Sequence, residues 1–180
     1  MGEWWRRDLT ISVNLSGVNL DEEDFPQRVL WHVASAGVQP SMLELEVTES
    51  ALIRNGERAF SQLNTLKAAG ISIAVDDFGT GYSSLAHLKR IPAHCIKIDR
   101  SFISAIDTEP RDLHLVTSMI TMLHGMDFRV VAEGIETAQS QHLLELAGCD
   151  EGQGYHLSRP LSAGDFDAWL ERFGRGQAVA

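Results

Sequence analysis

Hydrophobic and polar positions alternate along Leu9-Thr10-Ile11-Ser12-Val13-Asn14-Leu15-Ser16, the period of two that marks a strand, here ending near Asn14. Met42 to Ser50 repeats the pattern with glutamates at alternate positions and gives a second strand. Ile71-Ser72-Ile73-Ala74-Val75 is a β-branched run, read as a buried third strand that stops at Asp76. Cys95 to Asp99 is a short fourth strand. Phe128 to Ala132 is a fifth, ending at Glu133, and Gly152 to His156 a brief sixth. Helical spacing fills the intervals. The first helix runs from about Asp21, its candidate N-cap, to Ala36, with Gly37 as the stop. Others are expected over Glu57–Ala69, Ser83–Lys89, Asp112–Met126 and Thr137–Ala147, and a closing helix runs from Ser162 or Ala163 to Phe173. Strand and helix thus alternate throughout, which predicts a parallel sheet with helices packed outside it.

The polar residues near successive strand ends are Asn14, Glu46, Asp76, Lys97, Glu133 and Gln153, each suited to one βα unit. In a parallel β/α barrel such positions converge on the C-terminal face, where these folds keep their chemistry. A lone glutamate at a strand end is ordinarily a solvated rim residue. Six strand ends bearing Asn, three carboxylates, Lys and Gln are read as a site. Its centre is Asp76-Asp77-Phe78-Gly79-Thr80-Gly81-Tyr82-Ser83-Ser84-Leu85. Side chains alternate along a strand, so Asp76 and Asp77 point different ways unless the chain turns between them. Gly79 and Gly81 allow the following loop to approach a ligand closely.

A chain of 180 residues that is 44% hydrophobic suits one domain with a sizeable core. Its formal charge of -10 argues against a nucleic-acid polymer as partner, although not against a small phosphate ester held through metal ions. Cys95 and Cys149 sit in apolar contexts and are expected to be buried, reduced thiols. No apolar stretch approaches membrane-spanning length, and the first eight residues carry arginines without an apolar h-region. A cytoplasmic protein is expected, with a disordered tail over residues 174–180.

Asn14, Glu46, Asp76 and Glu133 offer only oxygen ligands, which favours Mg²⁺ or Mn²⁺ over zinc or copper. The seven histidines form no His-Glu-x-x-His and no His-Asp pair. Carboxylates that bridge two cations suit phosphodiester hydrolysis. Lys97 adds a point charge for a phosphate oxygen or an attacking water, or else a salt bridge.

Six motifs in order carry a family resemblance. They are Val13-Asn14-Leu15-Ser16, Leu45-Glu46-Val47-Thr48-Glu49-Ser50, the Asp76 to Leu85 stretch, Ile96-Lys97-Ile98-Asp99-Arg100-Ser101-Phe102, Val131-Ala132-Glu133-Gly134-Ile135-Glu136-Thr137 and Gln153-Gly154-Tyr155. Together, over about residues 9–173, they resemble an EAL domain. That resemblance implies a TIM-like (β/α) barrel that hydrolyses cyclic di-GMP to linear pGpG with Mg²⁺ or Mn²⁺. It further implies metal ligation by Asn14, Glu46 and Asp76, with Asp77 at a second metal and Glu133 as metal ligand or general base. Lys97 is implied to position water or phosphate, Gly79 and Gln153 to contact substrate, and Glu49 to anchor the Asp77–Ser83 loop. Asp99 and Glu136 are motif positions for which a structural salt bridge is an equal reading.

The family's Glu-Ala-Leu occurs nowhere in this chain. The resemblance therefore implies an N-terminally truncated barrel of about six βα units of eight, with residues 1–8 ending a helix that precedes the Asn14 strand. Open strand edges at Leu9–Leu15 and near Gly152–His156 invite pairing, so a homodimer is expected. With one family metal ligand missing, this chain alone is expected to be weak or inactive. A non-catalytic module that binds cyclic di-GMP or a protein partner is the main alternative, and another divalent-metal barrel enzyme a lesser one.

Overall fold

Six short strands line up side by side in the computed structural model, which describes residues 9–81 and 88–173. They are β1 (Ile11–Leu15), β2 (Leu43–Thr48), β3 (Ser72–Phe78), β4 (Cys95–Ile98), β5 (Arg129–Glu133) and β6 (Glu151–Gln153). All neighbours are parallel, and the spatial order β1-β2-β3-β4-β5-β6 is the order of the sequence. The helices are α1 (Phe25–Ser35), α2 (Glu49–Ala68), α3 (Arg100–Ile103), α4 (Pro110–His124), α5 (Ala138–Leu146) and α6 (Ala163–Phe173). The result is a half-barrel: β1 and β6 each pair on one side only. None of the described helices is long and apolar enough to cross a membrane.

Strand alternation divides the apolar residues into two layers. Leu45, Val47, Ile73, Val75, Ile96, Ile98, Val130 and Ala132 point outward and are buried against Leu63, Leu66, Ile120 and Leu123 of the helices. On the concave face only Ala74, Cys95 and Val131 form an apolar cluster, and polar residues line the rest. On β1, Ile11 and Val13 remain 55% and 45% exposed, so the outward face of this edge strand lacks the helical cover its neighbours have.

Several boundaries differ from those the sequence predicts. The first helix starts at Phe25, not Asp21, because Asn19–Asp21 forms a 3₁₀ turn that buries Leu20 and Pro26 occupies the first helical turn. Helix α2 begins at Glu49 rather than Glu57, capped by Thr48, whose Oγ1 accepts the Ala51 N–H at 3.3 Å. It is kinked at Gly56 (φ 47°, ψ -128°), immediately before the stretch that the sequence pattern marks as helical. Helix α3 was not expected; Asp99 caps it by accepting the Ser101 N–H at 2.9 Å. The third strand runs past Asp76 to Phe78, and the sixth is shifted to Glu151–Gln153. Both cysteines are free; Cys95 is buried, its thiol pushed up to about 12 by burial, whereas Cys149 is only half-buried. Most of the expected 83–89 helix, the leader over 1–8 and the tail over 174–180 lie outside the described residues.

The floor of the concave face is held by charge. Glu44, two residues before Glu46 on the same face of β2, accepts from Ser12 Oγ at 2.8 Å and lies 3.3 Å from His94 Nε2. The Ile73 N–H donates to His94 Nδ1 at 3.2 Å, which leaves the Nε2 proton aimed at Glu44. Arg129 stands 3.8 Å from Glu44 and 2.9 Å from Glu151. The His94 hydrogen bond, against the opposing pull of burial, holds the Glu44 carboxyl below its ordinary 4.5.

Two stability tests follow from this packing. A Cβ on Gly154 would lie 2.1 Å from the Ile135 carbonyl oxygen and 2.3 Å from its nitrogen, backbone atoms fixed by hydrogen bonds to Gln153 and His156. Gly154→Ala is expected to cost about 3 kcal/mol in urea unfolding, the upper range for overpacking. For Glu44 the folded carboxyl titrates below the unfolded one. Its stabilisation is therefore present above 4.5 and is lost as pH falls through the lower folded value. Glu44→Gln should lower stability at neutral pH and flatten its decline on acidification, read from urea midpoints across that window.

Candidate active site

Lys97 projects from β4 into the concave face, where its side chain is 6% exposed. Its Nζ lies 2.5 Å from Glu133 Oε1 on β5, 3.0 Å from Glu46 Oε1 on β2 and 3.5 Å from Asp76 Oδ1 on β3. Reaching both β2 and β5 from β4 is possible only because the sheet curves. Burial alone would push the ammonium down; the hydrogen bonds of Glu133 and Glu46, with the charges of Glu133 and Asp76, outweigh it and hold Lys97 above the ordinary lysine value. Glu133 is displaced upward, first by burial and then by the charges of Asp76 and Glu46, with the Lys97 hydrogen bond opposing.

Asp76 and Asp77 do not point opposite ways. The β3–β4 register shifts between Val75 and Phe78, so two residues, Asp76 and Asp77, stand opposite Lys97 alone. Asp77 takes the left-handed conformation (φ 54°), which Asp tolerates better than most residues, and its N–H donates to Asp76 Oδ1 at 3.0 Å. This turn gathers one oxygen each from Asp76, Asp77 and Glu133 within 4.8 Å of one another. Burial, then the Asp76 and Asp99 charges, raise the Asp77 carboxyl. Three crowded carboxylates, two of them displaced upward, are a donor set of hard oxygens that a divalent cation would fit.

The loop after Asp77 is held where it begins, at Gly79 and Gly81. Gly79 (φ 100°) donates its N–H to Glu49 Oε2 at 3.0 Å, and a Cβ at Gly79 would meet the Phe102 ring at 2.5 Å. Glu49 is 2% exposed at the start of α2, and its carboxyl also lies against Gly81. On the far side, the Arg100 stem covers Gly134 and its guanidinium pairs with Glu136 at 3.1 Å.

The structure thus brings Asp76, Asp77 and Glu133 into one group, with Lys97 joining Glu46 to it. Asn14 is exposed on β1, in register with Glu46, and Gln153 is exposed on β6, in register with Glu133. Asp99 caps α3, and Glu136 pairs with Arg100. Sequence reading missed Phe102, Arg100 and the Glu44 network. Glu44 carried a usable signal, since a residue two before Glu46 shares its face of the strand. The contacts of Phe102 and Arg100 across separate loops carried none.

Comparison with known proteins gives the site its context. The family model described as EAL domain matches residues 1–160. The cyclic di-GMP phosphodiesterase NbdA of Pseudomonas aeruginosa is 39% identical over 92% of this chain, which spans 21% of that protein's length. The PaMucR phosphodiesterase, solved as a cyclic di-GMP complex, superposes with a TM-score of 0.83 at 38% identity, covering 88% of this chain and 64% of the other. BlrP1 of Klebsiella pneumoniae, solved with manganese and cyclic di-GMP, superposes with a TM-score of 0.81 at 30% identity, covering 88% of this chain and 41% of the other. A match across most of the chain, carried by the same fold, makes this protein a member of the EAL domain family.

Proposed function

We propose that the chain is the greater part of a metal-dependent phosphodiesterase domain that hydrolyses cyclic di-GMP to pGpG in the cytoplasm. The observation that carries this reading is the convergence of Asp76, Asp77 and Glu133 oxygens within 4.8 Å beside the buried Lys97. In this reading Asp76, Asp77 and Glu133 hold Mg²⁺ or Mn²⁺, with Glu46 and Asn14 completing the shell from β2 and β1. Such ions supply a hydroxide near neutral pH and neutralise charge on the phosphate oxygens. The residues of the chain do the rest. Glu133, raised by burial, accepts a proton from the attacking water, and Lys97 orients that water or a phosphate oxygen. Gln153 and the Gly79 loop flank the ligand, and Glu49 holds that loop in place.

The chain contains no Glu-Ala-Leu, and β1 presents an open edge with Ile11 and Val13 uncovered. We therefore assign it weak or no turnover alone and pairing into a homodimer through an open edge. The same open edge favours, as second reading, a module that binds the nucleotide without cleaving it.

Release of pGpG from cyclic di-GMP in Mn²⁺ or Mg²⁺ tests the hydrolase. Turnover is expected to be slow, to stop with a chelator, and to fall on the order of 100-fold or more in Glu133→Gln and Asp76→Asn. Retained nucleotide binding without any turnover would establish the second reading instead. A further test concerns the charge balance. Lys97→Met leaves Glu46, Asp76 and Glu133 without their cation and should destabilise by about 3–5 kcal/mol at neutral pH. Added Mg²⁺ or Mn²⁺ should restore part of that loss, because the metal replaces the missing positive charge. Equal thermal midpoints with and without metal would sink the assignment of these carboxylates as ligands.

A further inference from the structure

The position of Lys97 depends on a register that β3 and β4 define weakly. Below the bulge the two strands share only the pairs Ala74–Cys95 and Val75–Ile96, and pairing resumes above it at Phe78–Ile98. Lys97 sits between, opposite two residues rather than one. A slip of one residue would send it to the other face of the sheet, away from the carboxylates. Because β4 begins only at Cys95, whatever steadies it from below must come from the residue before. That residue is His94.

Four hydrogen bonds meet on His94, and they reach three other strands. Its N–H donates to the Ile73 carbonyl at 3.1 Å, and the Ile73 N–H donates to the ring Nδ1 at 3.2 Å. In a continued parallel ladder that N–H would find a backbone carbonyl; here the imidazole nitrogen takes its place. Nε2 faces Glu44 Oε2 at 3.3 Å, and the His94 carbonyl accepts the Arg129 N–H at 2.8 Å. Each residue so held stands a few steps below the cluster on its own strand. Glu44 is two before Glu46, Ile73 three before Asp76, His94 three before Lys97 and Arg129 four before Glu133.

We propose that His94 is a positioning residue for the active site. By engaging Ile73 and Glu44 through its two ring nitrogens, it fixes the height of β4 and so sets Lys97 between Glu46, Asp76 and Glu133. It acts through register rather than through contact with the reacting groups. The proposal rests on the reading of the carboxylates as a cation site, and one of its tests is chosen to stand without that reading.

Calorimetric titration of the purified chain with Mn²⁺ is the first test. His94→Ala should weaken Mn²⁺ about tenfold, the scale found when a group that orients metal ligands is lost. His94→Asn, whose amide oxygen can accept the Ile73 N–H, should recover most of that affinity. Thr137→Ala removes the cap of α5; it should lower the urea midpoint and leave Mn²⁺ affinity unchanged. The second test is a double-mutant cycle by urea unfolding in a chelating buffer. In a Lys97→Met background, His94→Ala should shift the midpoint by about half or less of its shift in the native chain, since no ammonium remains to be placed. Long-range ¹H–¹⁵N spectra should show the His94 proton on Nε2, with Nδ1 bare.

In a chain that binds Mn²⁺, unchanged affinity in His94→Ala, or an equal loss in Thr137→Ala, overturns the proposal. Additive shifts in the cycle or a protonated Nδ1 also overturn it. The two readings fail separately. Absence of Mn²⁺ binding together with coupling in the cycle keeps His94 as the positioning residue of Lys97 and removes the cation site. Mn²⁺ binding indifferent to His94→Ala keeps the cation site and removes the positioning.

Discussion

A buried ammonium surrounded by carboxylates is the constraint on which the concave face depends. Lys97 can stay charged in a site that excludes most water only because Glu46, Asp76 and Glu133 approach it from three other strands. Those carboxylates, in turn, can crowd one another only because the ammonium lies between them. The arrangement ties the register of β2, β3, β4 and β5 to charge balance as well as to backbone bonding. With Asp77 added there are more negative groups than one lysine offsets; burial first, and then the neighbouring carboxylates, displace Glu133 and Asp77 upward. A pocket so biased toward positive charge is already part of the way to a metal site before any ion arrives.

The bulge between β3 and β4 is what converts a strand into such a site. A regular strand would send Asp76 and Asp77 to opposite faces. One extra residue and one left-handed backbone turn bring both to the same side. The same turn starts the loop that Glu49 grips at Gly79 and that packs upon Phe102. Site geometry and loop position are therefore one structural event. Through Glu49 and Phe102, α2 and α3 both touch this loop two residues after Asp77.

Much of this was legible in the order of residues. Alternation along Leu9–Leu15 and Met42–Ser50, and the β-branched run before Asp76, located the strands. Polar residues at their ends marked the face on which Glu46, Asp76, Lys97 and Glu133 meet. What escaped was whatever depends on contacts between distant segments or on a single backbone angle. The Asp77 turn is invisible to periodicity, because an Asp-Asp pair reads the same whether or not the chain bulges. Gly56 hid the first turns of α2 because a kinked helix has no continuous apolar stripe. Helix α3, at four residues, is too short for any period to register. The pairing of Arg100 with Glu136 depends on two loops meeting in space and left no trace in local pattern.

Finally, a sheet whose spatial order repeats its sequence order has a consequence for assembly. Every ladder joins consecutive βα units, so the chain closes only short loops as each new strand docks on the one before. Such a molecule can grow like a zipper during synthesis, each unit finding its template already laid down. The Lys97 cluster is the exception: Glu46 and Glu133 must both be present before its charges balance. The charge balance around Lys97 is therefore complete only once β5 is in place beside the three strands before it.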